Sequence, residues 1–524
     1  MEISEKQDFI KVIILSLTVT LWFYWLWTRK NVYQFSSRFS GLFGWPLFGI
    51  LHRIKSQHNV IQELGKIFKD CKAYTICTWI GTYPIIITAD PPFIKDVLSS
   101  KELLNKAQPL YQPLYDAFKG GLIASPVDQW HKNRRMINPS FHQRVLTSFL
   151  PVFNKAKDGA IQKFSELTRN EPVLISEQLQ RITLSITVET TMGKEMQKGD
   201  QVSEQLVKSY VIVIKNFRSM EKVPIECLLA YVKLDHLYAW FTKASKEFVY
   251  KFIEGLLYGK LLQVPTTENI RLDVNISTDN NVNKNYSYGN QAFNEKVPSI
   301  FIDQAINLYR EGKMSYHDLI GETNTIVSAA FETSANALLS ALLMLAMHPA
   351  VQERLFEEII NLFPDKHFYV ECENITNLPY LDMVVNETLR LMPSIPMIGR
   401  QVVQDTTLSS GLVIPKGIEI LISIFDLHRR TDIWGANADK FNPENFMREN
   451  LQEKHSYAYI PFSKGVRDCI GWKYALMSIK ILLAGFIRNF SFETNVKLED
   501  LKFTNNVTLK YTNEPAFTIK NRYK

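Results

Sequence analysis

The sequence predicts a mainly helical protein with a smaller β-rich region, entered through an apolar N-terminal helix. Three observations predict this. Apolar residues recur at helical spacing through most of residues 60–260 and 299–392. Short strand-like runs occur at 73–88 and 411–424. Residues 12–27 form an uncharged run rich in Leu, Ile, Val and Trp.

Composition bounds the class. The chain has 524 residues, 46% hydrophobic and 22% charged, with 32 Phe, 22 Tyr and 9 Trp. That is ample material for a large core. Cys71, Cys77, Cys227, Cys372 and Cys469 are scattered, odd in number and without CxxC spacing. A reduced, cytosol-facing setting fits them better than a disulfide framework. The net charge of +7 is too mild and dispersed to argue for nucleic acid. It suits a basic face meeting an anionic membrane or an acidic partner.

Taken in order, the N-terminal run is near the lower limit for a spanning helix. Trp22, Trp25 and Trp27 suit an interfacial belt, and Arg29 and Lys30 come directly after them. A cleaved signal peptide is the rival. The acidic start (Glu2, Glu5, Asp8) and the bulky residues at the cleavage position count against it. Residues 1–30 are therefore expected to be an uncleaved transmembrane anchor, and 31–524 one domain. Residues 41–49, with Pro46, form the connection. Trp130 and Arg134 share one helical face. Residues 265–296 are Asn-rich and polar, with little periodicity, and read as a flexible insertion.

A small-residue apolar helix spans roughly 325–347 and contains Ala329, Ala330, Phe331, Glu332 and Thr333. Taken alone, this reads as a buried core helix with one capped acid. Glu387 and Arg390 stand three apart and meet on one face. Residues 471–490 read as a helix, with Trp472, Ala475, Leu476, Ile479, Leu482 and Leu483 at helical spacing. Cys469 lies just before it, where partial positive charge lowers a thiol pKa. A buried structural cysteine is the alternative reading. Zinc is disfavoured, since no second Cys or His stands at ligand spacing.

Phe462, Gly465, Arg467, Cys469 and Gly471 together resemble the haem-thiolate loop of the cytochrome P450 family. Five such residues at average usage coincide by chance in roughly one chain of this length in ten thousand. The resemblance implies a P450 fold and assigns roles. Cys469 would be the axial ligand of the haem iron, pushing electron density onto it. Phe462 would shield the sulfur. Gly465 would permit the turn and Gly471 a close approach to the porphyrin. Arg467, Trp130, Arg134 and Arg400 would meet haem propionates. Glu332 and Thr333 would relay protons, with Ala330 in place of the usual Gly. Glu387 and Arg390 would form the structural pair behind the loop. That pair is usually completed by an Arg where Asn445 stands, which weakens the expected haem core.

The stretches around Val351, Tyr380, His428 and Trp434 look most like clan 4, especially its insect branch. Many clan 4 enzymes bind haem covalently through a Glu in the oxygen helix. Ala329 occupies that position, so non-covalent haem b is expected. The implied function is a microsomal monooxygenase of the endoplasmic reticulum membrane, its body facing the cytosol. Electrons would come from NADPH through the flavoprotein cytochrome P450 reductase, with cytochrome b5 as a further partner. Lys132, Arg135, Lys464 and Lys473 would contribute to the docking face. The substrate would be small and hydrophobic: a fatty acid, an insect hormone or a foreign compound. Phe331 and residues 395–398 are expected to face it. Two rivals stay open: an isomerase or dehydratase of the same fold, and a non-catalytic haem or ligand binder.

Overall fold

Among the described residues, the helices that frame the molecule are α1 (Glu2–Thr28), α2 (Gln108–Phe118), α3 (Val127–Ile137), α4 (Leu150–Ser165), α5 (Ser176–Met192), α6 (Gln201–Lys215), α7 (His236–Gln263), α8 (Phe301–Arg310), α9 (Tyr316–Met347), α10 (Pro349–Leu362), α11 (Pro379–Leu391) and α12 (Trp472–Asn489). The computed structural model describes residues 2–28, 30–41, 49–50, 60–80, 83–168, 171–196, 201–215, 236–263, 298–505 and 507–522. The expected insertion at 265–296 and most of the connection at 41–49 lie outside the described residues.

The long helix α9 is the axis of the body. Ser315 caps it by accepting the Asp318 N–H at 3.0 Å, and small residues let its neighbours approach closely. Helix α9 is apolar enough to span a membrane, yet most of it is buried. Its apolar surface packs against α5, α11 and α12, so it is a core helix rather than a second span. Pro349 and Pro379 open the first turns of α10 and α11, where a missing N–H costs no helical bond.

The main sheet has the order β1-β2-β6-β3, built from β1 (Thr75–Ile80), β2 (Tyr83–Thr88), β3 (Met397–Gln401) and β6 (Glu419–Ser423). The run at 73–88 is thus a hairpin of two strands, not one. Ile86 pairs with Ile420 in the parallel β2–β6 ladder, and Met397 pairs with Ser423 in the antiparallel β3–β6 ladder. Every residue of β6 is buried, as a central strand requires. Smaller pairs join β4 (Thr406–Thr407) to β5 (Val413–Ile414) and β7 (Phe490–Glu493) to β10 (Thr518–Asn521). A further pair joins β8 (Phe503–Asn505) to β9 (Leu509–Tyr511). The architecture is mainly helical with a small β region, as expected. Apart from it, α1 leaves Val12, Ile14, Leu15, Leu17, Trp22, Phe23 and Trp27 exposed.

Candidate active site

A cavity of about 340 Å³ lies between α9 and the loop at 461–471. Ala329, Ala330 and Thr333 of α9 line one side, and Phe462, Arg467, Cys469 and Gly471 the other. The remaining wall is mostly apolar, including Leu114, Leu122, Ile123, Ile395, Met397 and Ile398.

The loop is built by its backbone. Gly465 has φ +82°, and a Cβ there would stand 2.2 Å from the Leu98 carbonyl oxygen. No other residue fits without moving the chain. The Cys469 N–H donates to the Phe462 carbonyl at 3.0 Å, closing the loop and turning the thiol into the cavity. Gly471 is less constrained, since its nearest neighbour on the Cβ side is a Phe141 ring atom at 3.9 Å. Burial pushes the Cys469 thiol up, and the Gly471 N–H and the Arg134 charge only partly offset this. Desolvating a thiolate costs more than one N–H bond returns.

Behind the loop, Arg390 donates to both oxygens of Glu387, each at 2.7 Å, in a fully buried pair. The same guanidinium donates to the carbonyls of His428, Ala438 and Lys440. Burial and the neighbouring arginines push His428 down to about 3, so its ring is neutral. Its Nε2 accepts the Ile460 N–H at 3.0 Å, which ties the pair to the start of the cysteine loop. The weakness expected from Asn445 is not what the geometry gives. Asn445 Nδ2 donates to Glu387 Oε1 at 3.1 Å, and the Asn442 N–H reaches the same oxygen at 2.8 Å. Two neutral donors replace one guanidinium.

Three cations gather at one edge of the cavity. Arg400 and Arg467 are buried, and Lys106 is half-buried over the Tyr111 ring at 4.6 Å. Burial, together with Arg400 and Arg467, holds Lys106 well below its usual range; burial and Arg400 bring Arg467 down to about 9. Arg467 Nη2 donates to the Ser125 carbonyl, while its Nε and Nη1 have no hydrogen-bond partner among the described residues. Trp130 packs under this guanidinium, with Cζ 4.5 Å from the ring centre. Buried cations persist when a counter-anion answers them. Two carboxylates at the cavity edge would do so, and haem carries two propionates. The donor set fits the group.

Arg134 lines the cavity as well. Its Nη1 and Nη2 donate to the Asp468 carbonyl and carboxylate at 2.8 and 2.9 Å, and Nε donates to Asn138. It braces the residue before Cys469. Phe331 departs from its expected place. It is fully buried and packs against Tyr210 at 5.4 Å, on the face of α9 turned away from the cavity.

Glu332 is 1% exposed, with Oε1 held by Lys510 Nζ at 2.6 Å and by the Thr508 hydroxyl at 3.3 Å. The Thr333 hydroxyl donates to the Ala329 carbonyl at 2.7 Å. Lys106, Lys510 and His428 were missed by sequence reasoning. Lys106 and Lys510 sit in no motif, and the position of His428 behind the loop depends on contacts remote in sequence.

Residues 40–517 match the family model described as Cytochrome P450. The chain is 34% identical to "Probable cytochrome P450 313a4" of Drosophila melanogaster, over 97% of this chain and 98% of that one. It is 34% identical to "Probable cytochrome P450 313a2" of the same fly, over 97% and 99%. It is 28% identical to the fly's "Probable cytochrome P450 4p3", over 89% and 87%. This last likeness accords with the clan 4, insect-branch resemblance. The chain belongs to the cytochrome P450 family, the haem-thiolate monooxygenases.

Proposed function

We propose that Cys469 is the axial iron ligand and that Lys106, Arg400, Arg467 and Trp130 hold the haem propionates. The observation that carries this reading is that Lys106 and Arg467, with Arg400 beside them, have no counter-anion among the described residues, while Lys106 and Arg467 line the same cavity as the Cys469 thiol. Bound there, non-covalent haem b supplies dioxygen activation and the insertion of one oxygen atom into substrate. Phe462 and the closed loop keep water from the sulfur. Gly465 shapes that loop, Gly471 leaves room beside the porphyrin, and Arg134 braces Asp468. Glu387 and Arg390 fix the scaffold. Glu332 holds a carboxylate at the cavity edge and Thr333 a hydroxyl inside it, so a proton can pass between them toward the reacting centre.

The apolar wall suits a small hydrophobic substrate: a fatty acid, an insect hormone or a foreign compound such as an insecticide. Electrons come from NADPH through cytochrome P450 reductase, with cytochrome b5 as a second donor. Lys132, Arg135, Lys464 and Lys473 are exposed on the side of the Cys469 loop and suit an acidic docking surface. Residues 1–30 anchor the enzyme in the endoplasmic reticulum membrane, with the domain at 31–524 in the cytosol.

The test is the carbon monoxide difference spectrum of the reduced, membrane-expressed protein. A strongly red-shifted Soret band is expected in the wild type and its loss in Cys469→Ala. A band that survives the substitution overturns the ligand assignment.

A further inference from the structure

Between α2 and α3 the chain takes three consecutive left-handed residues: Lys119 at φ 57°, Gly120 at 100° and Gly121 at 85°. This turn presses the backbone onto α9. A Cβ on Gly121 would stand 1.9 Å from Thr325 Oγ1, and one on Gly321 would stand 2.4 Å from the Lys119 carbonyl. Both surfaces therefore require glycine. At the close approach lies Glu322, 0% exposed and outside the motifs named above. Its Oε2 accepts the Leu122 N–H at 2.9 Å, and its Oε1 accepts Asn133 Nδ2 at 2.8 Å. Leu122 and the next residue, Ile123, line the cavity. Asn133 is on α3, between Trp130 and Arg134. The far end of the same loop is held by Arg467, through the Ser125 carbonyl at 2.7 Å.

We propose that Glu322 is a positioning residue for substrate: it pins the loop at 119–125 between α9 and α3 and so sets where Leu122 and Ile123 close the cavity. A buried carboxylate is a costly way to hold two N–H groups, and an apolar residue would pack there with less loss. What it adds is direction, since two charge-assisted bonds fix the loop relative to both helices.

The surroundings support an adjustable pin. Burial, with a smaller contribution from Asp318, pushes Glu322 up to about 7. Asp318 is one turn earlier on α9 and is held by Gln129 and Ser315. His317 is beside Gly120. On the loop, Lys119 turns its ammonium onto the Tyr250 ring at 4.3 Å, and on α3 Arg134 turns to Asp468. None of these supplies a cation to the carboxylate. As pH falls through about 7 the carboxyl gains a proton, loses one acceptor site and loosens the loop.

The inference rests on the haem reading for its spectral test, and a second measurement is independent of it. Haem-loaded wild type, Glu322→Gln and Glu322→Ala are titrated with imidazole, which needs only the iron, and with clotrimazole, whose three aryl groups need the cavity wall. Clotrimazole should bind roughly tenfold more weakly to the variants, the equivalent of one charge-assisted hydrogen bond, while imidazole affinity is unchanged. Equal changes in both ligands, or in neither, overturn the proposal. Hydrogen exchange over residues 119–125 reads the pin directly, with or without haem. It should be faster in Glu322→Gln, and unchanged exchange overturns the proposal even where Glu322→Ala fails to fold. A wild type without an imidazole shift would strike the haem assignment and leave the exchange result to decide the pin.

Discussion

Burial works against the charged form of the ionisable groups around the cavity. It raises the Cys469 thiol, brings Arg467 down to about 9 and raises Glu322 to about 7. Such penalties are tolerated where a bound group or a positioned bond answers the charge. Thr333 is neutral, and among the described residues its hydroxyl bonds only the Ala329 carbonyl, one turn earlier in its own helix. Thr333→Ala should therefore leave the fold intact and remove the hydroxyl from the proton path. Peroxide released per NADPH consumed, measured with reductase, should rise several-fold; unchanged coupling would show that the relay lies elsewhere. The turn at Gly465 was legible because the loop is contiguous in sequence. The bond from Arg134 to Asp468 was not, because the two stand 334 residues apart.

At the scale of elements, α11 and the segment at 442–445 meet at Glu387. Asn445 Nδ2 and the Asn442 N–H share one oxygen of that carboxylate, so removing the side chain leaves Glu387 partly satisfied. Asn445→Ala should cost about 1.5–3 kcal/mol in urea unfolding of the haem-loaded protein, in the range of one hydrogen bond to a charged group. A loss within the measurement error would mean that the backbone N–H suffices. The helix pattern was readable for α9 and α12, whose apolar spacing is strong. The orientation of α9 was not. Phe331 satisfies helical spacing on either side, and only the packing of Tyr210 draws it away from the cavity.

For the whole molecule, none of the described residues among 11–28 of α1 is buried, and Val12, Leu15, Trp22 and Trp27 are exposed. Removing residues 1–30 should shift the protein from the carbonate-resistant membrane fraction toward the soluble fraction while the carbon monoxide band is kept. Retention of all the truncated protein on membranes would assign the attachment to the body. The sequence by itself determined the helical class, the apolar N-terminal run and the cysteine loop, since periodicity and contiguous motifs are local properties of a chain. Tertiary structure decided which charges meet. Lys106, Arg400 and Arg467 come from segments far apart in sequence, as do Glu322 and Leu122, and Glu332 and Lys510. Their energies depend on burial and on distances of a few ångströms, and neither exists until the chain has packed.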